Sequence, residues 1–85
     1  MAADKTIPTI CSIVADILRQ ERQKRGLSMN LVAERAGLSQ QMVSYVERGM
    51  RNPTLETLLR ICAALRIDLE GVIARARKAA VKPAI

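Results

Sequence analysis

The fold of this 85-residue chain is decided by residues 26–53, GLSMNLVAERAGLSQQMVSYVERGMRNP. Ser28 and Ser39 are residues of the type that begins a helix, because a serine hydroxyl can accept a hydrogen bond from a backbone N–H of the first turn. Gly37 and Gly49 suit helix ends, since glycine adopts the left-handed conformation at little cost. The stretch therefore predicts two short helices, each begun by a serine and ended by the next glycine, which form a helix-turn-helix.

The second of these two helices is predicted to have an apolar side and a polar side. At about 100° per residue, Met42, Val43 and Val46 share one arc, and the opposite arc is polar. The polar arc carries two amides, a hydroxyl, a phenol and a guanidinium, from Gln40, Gln41, Ser44, Tyr45 and Arg48. A glutamine amide can bind adenine through two hydrogen bonds, and hydroxyl and guanidinium groups can bind phosphates or base edges. Such an arc can also be an ordinary solvated surface, but the turn, the capping serines and a net charge of +6 favour insertion into the DNA major groove.

Three further amphipathic segments surround this stretch, and none has the alternation of a strand. The first helix has apolar residues at helical spacing and ends in a basic turn that contains Lys24 and Arg25. Thr54 is predicted to cap a fourth helix whose broad apolar face comprises Leu55, Leu58, Leu59, Ile61, Cys62 and Leu65, and Asp68 to cap a fifth helix with Leu69, Val72, Ile73 and Ala76. The expected architecture is an all-α domain over residues 9–80, preceded by a flexible arm at 1–8 and followed by a tail at 81–85.

Composition argues against an enzyme. The chain has no His, which excludes imidazole catalysis and most zinc sites, and its four Gly residues do not form a phosphate-binding loop. Cys11 and Cys62 have no neighbouring ligands, and reduced, buried thiols are favoured over a disulfide between them. We expect no metal, no cofactor and no small-molecule substrate. Neither a membrane span nor the layout of a signal peptide is present, so a cytoplasmic protein is expected.

Four groups of residues carry a family resemblance. They are Leu18-x-x-x-Arg22-x-x-x-Gly26-Leu27-Ser28, then Val32-Ala33-x-x-Ala36-Gly37-Leu38-Ser39, then Val43-Ser44-x-Val46-Glu47-Arg48-Gly49, and finally Asn52-Pro53-Thr54-Leu55-Glu56-Thr57-Leu58. The chain resembles the Cro/lambda-repressor (XRE) helix-turn-helix family over about residues 14–73. The resemblance implies a five-helix lambda-repressor-like domain that is usually dimeric, binds double-stranded DNA operators and regulates transcription.

The resemblance also implies roles for individual side chains. Gln40, Gln41 and Tyr45 are expected to contact bases, as Ser44 is from its place on the polar arc. Contacts to the DNA backbone are expected from Ser28, Ser39, Arg48, Arg51 and Asn52, with Lys24 and Arg25 as secondary anchors. Arg22 and Glu47 are expected to form an internal ion pair that has a structural role. Met29 stands where the family often has a phosphate-binding Gln, so it is expected to pack instead, and Leu31 stands where a polar residue is usual.

A single recognition helix contacts too few base pairs to specify one genomic site, which is the reason to expect a homodimer on a pseudo-palindromic operator. Its dimer surface is expected from the fifth helix (Leu69, Val72, Ile73) and the turn before it (Arg66, Ile67), or else from the start of the first helix (Ile7, Ile10, Cys11). The residues of the fifth helix and of its turn can equally belong to the core, which is the favoured interpretation for Leu69 and Ile73. The basic C-terminal residues Arg75, Arg77, Lys78 and Lys82 can serve solubility or nonspecific DNA binding. The alternative function is a protein-interaction module of the same fold, an antitoxin or adaptor, in which DNA binding is secondary.

Overall fold

The computed structural model describes residues 5–50 and 52–81. Within these residues the chain forms five α-helices and no strand, which confirms the predicted all-α, five-helix architecture. The helices are α1 (Thr6–Lys24), α2 (Met29–Ala36), α3 (Gln40–Glu47), α4 (Leu55–Leu65) and α5 (Leu69–Ala80). None of them is both long enough and apolar enough to cross a membrane.

Side-chain hydroxyls begin three of the helices. Ser28, Ser39 and Thr54 each accept a hydrogen bond of 3.1 Å from the backbone N–H three residues later. Such caps satisfy backbone donors that have no partner inside the helix. Asp68 stands at the corresponding position before α5, but its side chain makes no capping hydrogen bond, so only its place is as predicted.

The turn between α2 and α3 depends on Gly37. This residue has φ +71°, and it lets the Leu38 N–H reach back to the Ala33 carbonyl at 2.9 Å. The pattern is a Schellman motif, which closes the end of a helix. At the end of α4 the same left-handed conformation is adopted by Arg66, with φ 60°, although a non-glycine residue there is strained.

The first helix begins earlier than predicted. Thr6 is its first residue, so 6–8 are helical rather than part of a flexible arm. Pro8 lies in the first turn, where its missing N–H would have no intrahelical partner in any case, and it is therefore compatible with the helix. Residues 1–4 of the predicted arm and 82–85 of the predicted tail, Lys82 among them, lie outside the described residues.

All five helices contribute to one core. Its most deeply buried large side chains are Leu18 from α1, Val32 from α2, Val43 and Val46 from α3, and Ile61 and Leu65 from α4. α1 and α5 pack closely against each other, and α2 packs on both α3 and α4. α3 is thus held by its valines against the rest of the domain.

The predicted apolar faces of α4 and α5 differ in how far they are buried. Leu55 and Leu59 do not lie in the core, because they are 65% and 50% exposed on the outer side of α4. Leu69 lies in the core, as the sequence favoured, and Val72 is buried beside it, so neither residue can supply a dimer surface. Ile73 also packs against the core, so the apolar side of α5 is already covered.

The two cysteines occupy different environments and are not joined by a disulfide. Cys11 is exposed on α1, so the prediction that it is buried is wrong, whereas Cys62 lies in the core as predicted. Burial, together with the nearby carboxylates of Asp68 and Glu70, raises the pKa of the Cys62 thiol to about 11. Cys62 therefore remains a neutral, apolar core residue at physiological pH.

Candidate nucleic-acid interface

The outer face of α3 has the polarity that was predicted from the helical wheel. Val43 and Val46 are buried, whereas Gln40 and Gln41 are exposed. Ser44 and Tyr45 are half-buried, so only part of each side chain is accessible. The arrangement leaves two amides and parts of a hydroxyl and a phenol accessible from outside.

Gln41 and Tyr45 are linked to each other on this face. The Gln41 Nε2 donates to the Tyr45 Oη at 2.7 Å, across one turn of α3. This hydrogen bond uses one of the two amide N–H groups, and the amide also has its carbonyl oxygen and a second N–H to offer. The link restrains both side chains, so less conformational entropy is lost when they bind a base.

The two capping serines flank this surface at the starts of α2 and α3. Each hydroxyl oxygen accepts from the helix backbone, yet the hydroxyl proton is still available to donate. Ser28 and Ser39 can therefore cap a helix and donate to a phosphate oxygen at the same time. The positive ends of the helix dipoles also favour an anion at these positions.

The residues predicted to bind phosphates differ in their exposure and in whether they already form an ion pair. Lys24, Arg48 and Asn52 are exposed, whereas Arg25 forms an ion pair with the buried Glu21. The Arg25 Nη1 also donates to the Glu21 backbone carbonyl at 3.2 Å, so this side chain has a structural role that sequence reasoning missed. Arg51 lies outside the described residues.

Arg22 and Glu47 form the ion pair that the resemblance implied. The Arg22 Nε and Nη2 donate to the two Glu47 carboxylate oxygens at 2.7 and 3.0 Å. The third contact is from Nη1 to the Leu27 carbonyl at 2.9 Å. The side chains are only 12% and 5% exposed, so both charges are largely withdrawn from solvent. The pair joins the end of α1 to the end of α3 and fixes the position of α3 on the scaffold.

Arg60 also supports this site, and sequence reasoning did not find it. Its Nη1 donates to the Ala36 carbonyl at 3.2 Å, at the C-terminal end of α2. Its Nε and Nη2 donate to the Glu56 carboxylate at 3.0 and 2.8 Å. The sequence shows only a Glu and an Arg four residues apart on one helix, which is typical of a surface pair and gives no sign of the contact with α2.

Met29 and Leu31 are the two positions at which the sequence departs from the family pattern. Met29 packs against the core, as expected for a side chain that does not bind phosphate. Leu31 is half-buried.

Within the described residues there is also no cluster of three His, Cys, Asp or Glu side chains that could hold a metal ion.

Comparison with known families agrees with this geometry. Residues 18–72 match the sequence model of the Helix-turn-helix family HTH_3. The matched residues include the two capped helices and the turn between them. This chain belongs to the helix-turn-helix family. The predicted Cro/lambda-repressor type is thereby confirmed.

Relatives of this helix-turn-helix protein include regulators of transcription. The chain is 41% identical, over 59 residues, to an uncharacterized HTH-type transcriptional regulator of Mycobacterium tuberculosis, a match that covers 69% of this chain and 42% of that protein. It is 36% identical over 61 residues to the transcriptional regulator ClgR of the same organism, covering 72% and 54% of the two chains. The chain thus matches about half or less of the length of these relatives.

Among solved structures, the helix-turn-helix domain is similar to the restriction-modification controller protein C.AhdI from Aeromonas hydrophila. The TM-score is 0.68 at 33% sequence identity, and the match covers 74% of this chain and 94% of that one. The match covers nearly the whole of the controller protein, so the shared fold extends beyond the helix-turn-helix.

Proposed function

We propose that this protein is a homodimeric, repressor- or controller-like regulator of transcription that binds a pseudo-palindromic operator in the cytoplasm. The observation that carries the proposal is the division of α3 into a buried apolar side and an accessible polar side. Val43 and Val46 hold the helix in place, and the amides of Gln40 and Gln41 face outward. The proposed activity is binding, with no catalytic step.

In this proposal the residues of α3 read the bases. The exposed Gln40 and Gln41 approach the major-groove edges, where a glutamine amide pairs with adenine through N6 and N7. Ser44 and the ring of Tyr45 contact adjacent positions, including a thymine methyl group. A well-formed bidentate contact discriminates between bases by about 1–3 kcal/mol.

The phosphates are bound on either side of α3. Ser28 and Ser39 donate from the two helix starts, Arg48 and Asn52 bind beyond the end of the helix, and Lys24 contributes charge from the end of α1. Arg51 keeps its proposed phosphate contact on sequence grounds. Arg25 contributes only secondarily, because its guanidinium is already paired with Glu21.

Two copies are needed because one short helix reads only a few base pairs. In a two-fold symmetric pair, the recognition helices enter successive major grooves about 34 Å apart on one face of the duplex. Summing two half-sites raises discrimination to the level that a genomic operator requires.

The test is selection of bound duplexes from a random library, followed by binding assays on the selected operator. We expect the selected sites to be pseudo-palindromic. The double variant Gln40→Ala/Gln41→Ala should then bind operator and random DNA with similar affinity, a loss of about 1–3 kcal/mol of discrimination per contact removed.

Arg48→Ala is the matched control, because Arg48 is exposed and lies about two turns further along the same face. It should weaken binding to both kinds of DNA and reduce the slope of log affinity against log salt by about 0.9. If the glutamine variant folds and retains full discrimination, α3 does not read the bases, and the interaction-module alternative is supported instead.

A further inference from the structure

An exposed apolar strip runs along the outer side of α4. Leu55, Leu59 and Ala63 follow one another at four-residue spacing and therefore lie in one line on the helix. All three are exposed, Leu55 by 65% and Leu59 by 50%. We call these three residues the α4 strip.

The core does not account for the α4 strip. α4 already buries its opposite side through Ile61, Cys62 and Leu65. Thr54 caps the helix and so fixes Leu55 at its first position. A single exposed leucine is common on protein surfaces, but two leucines one turn apart on a well-anchored helix form a continuous apolar contact surface.

We propose that the α4 strip docks on the α4 strip of a second copy of this chain. The inference rests on the proposed operator binding, which requires two copies, and it identifies the surface that joins them. In a two-fold contact the same patch meets itself, and an apolar strip is complementary to itself. Leu59 is the central residue of the strip and is placed nearest to the symmetry axis.

The charges around the α4 strip are compatible with contact by a second copy of the chain. Two copies that each carry a net charge of +6 repel one another, and a contact surface without unpaired charge adds nothing to that repulsion. The neighbouring row on α4 carries Glu56 and Arg60, which are paired with each other at 2.8 Å. The strip and this row therefore add little net charge to the contact, and the exposed Arg66, three residues beyond Ala63, is a cation at the end of the strip.

The area of the strip predicts the strength of the contact. Three partly exposed side chains give at most a few hundred Å² per copy, whereas stable interfaces bury about 1,200–2,000 Å² in total. Self-association in free solution is therefore weak, and adjacent half-sites on one operator drive pairing by raising the effective concentration of the second copy.

The rival surface is at the start of α1. Ile7 is 62% exposed and, with Cys11, borders an apolar groove of about 500 Å³ that extends to Pro53 and Leu58. The groove is concave, and an isologous contact would need a matching projection at the same place on the second copy. The protruding α4 strip needs no such match.

The experiment uses two oppositely charged variants of the strip, Leu59→Glu and Leu59→Lys, with Ile7→Glu as the matched control. Self-association is measured by sedimentation at high micromolar concentration and by cooperativity on a duplex with two half-sites. Each Leu59 variant should associate with itself at least about tenfold more weakly than the natural chain, because like charges then meet at the axis. An equimolar mixture of the two should recover association, and Ile7→Glu should behave as the natural chain does.

Thermal unfolding checks that each variant folds, and affinity for a duplex with one half-site should be unchanged by Leu59→Glu. The proposal is overturned if Leu59→Glu pairs normally, if the mixture does not recover association, or if the natural chain stays monomeric both alone and on the two-half-site duplex. Absence of all DNA binding would instead contradict the proposed function, and sedimentation without DNA would still test the strip.

Discussion

At the scale of single residues, the Arg22–Glu47 pair has the largest energetic consequence. Three hydrogen bonds from one guanidinium satisfy Glu47 and the Leu27 carbonyl in a site that solvent hardly reaches. A buried pair of this kind adds little when it is intact, but removing one partner leaves the other charge uncompensated. The pair therefore acts as a constraint on where α3 lies relative to α1.

We expect Arg22→Ala to lower the free energy of unfolding by about 3–5 kcal/mol, since Glu47 would keep a largely buried charge without its partner. Denaturant unfolding measures the effect. Arg22→Lys keeps the charge but loses the bidentate geometry, so its free energy of unfolding should lie between those of the natural protein and Arg22→Ala. The exposed Arg48→Ala should change stability by no more than about 0.5 kcal/mol. An Arg22→Ala protein of natural stability that no longer binds DNA would show that Arg22 contacts DNA instead.

Single residues also show the limit of sequence reasoning. The valines of α3 and its exposed glutamines could be placed correctly, because a short helix on a core has one buried side. The exposure of Leu55 and Leu59 could not be predicted in this way, since hydropathy alone assigns a leucine to the interior. The contact of Arg60 with the Ala36 carbonyl could not be predicted either, because it is defined by the packing of helices. Glu21 and Arg25 stand four residues apart on the sequence, a spacing that could have indicated their ion pair.

At the scale of elements, the ends of the helices decide the geometry of the interface. Serine and threonine caps were predictable from residue type, as was the glycine turn after α2, because these signals are local. The start of α1 was less predictable, since Pro8 can mark either the end of an irregular arm or the first turn of a helix. Arg66 gives no signal at all, because an arginine in the left-handed conformation is determined by the connection from α4 to α5.

The turn after α2 makes a prediction about glycine. An alanine at position 37 would have to adopt φ +71°. Its Cβ would also lie 3.1 Å from the Arg60 Nη1, the atom that donates to the Ala36 carbonyl at the end of α2. We expect Gly37→Ala to lower the free energy of unfolding by about 1–2 kcal/mol because of the strained backbone.

Gly71 provides the matched control, because it lies within α5 and a Cβ there meets nothing within 4 Å. Gly71→Ala should instead raise the free energy of unfolding, by up to about 1 kcal/mol, through its effect on helix propensity. Thermal or denaturant unfolding of both variants measures the difference. Equal effects of the two substitutions would contradict the role of the Gly37 conformation.

At the scale of the whole molecule, Glu21 joins the two helices that pack most closely. Its carboxylate binds Arg25 on its own helix and Arg75 on α5, the latter at 3.2 Å. The hydrogen bond from Arg25, with that from Arg75 and the charge of Lys24, holds the pKa of Glu21 below its ordinary value, although burial opposes the shift. Arg75 thus has a structural partner, which the sequence did not indicate.

This shift predicts a dependence of stability on pH. Because the folded-state pKa of Glu21 is lower than its unfolded value, its contribution is present above the ordinary pKa of 4.5 and is lost as the pH falls through the folded value. Glu21→Gln should cost about 1 kcal/mol at neutral pH, as is typical of partly exposed ion pairs, and nothing in strong acid. Denaturant unfolding from neutral to acidic pH tests this, and a constant difference between the two proteins would contradict it.

The contrast between the two thiols gives the molecule a ready attachment point. A maleimide reacts with thiolate, and Cys62 offers neither access nor a deprotonated sulfur at neutral pH, whereas Cys11 lies on the surface. A fluorophore or spin label can thus be placed at one position of the unaltered chain. Because Cys11 is on α1 and is not one of the residues proposed to contact DNA, such a label reports distances between copies assembled on a duplex.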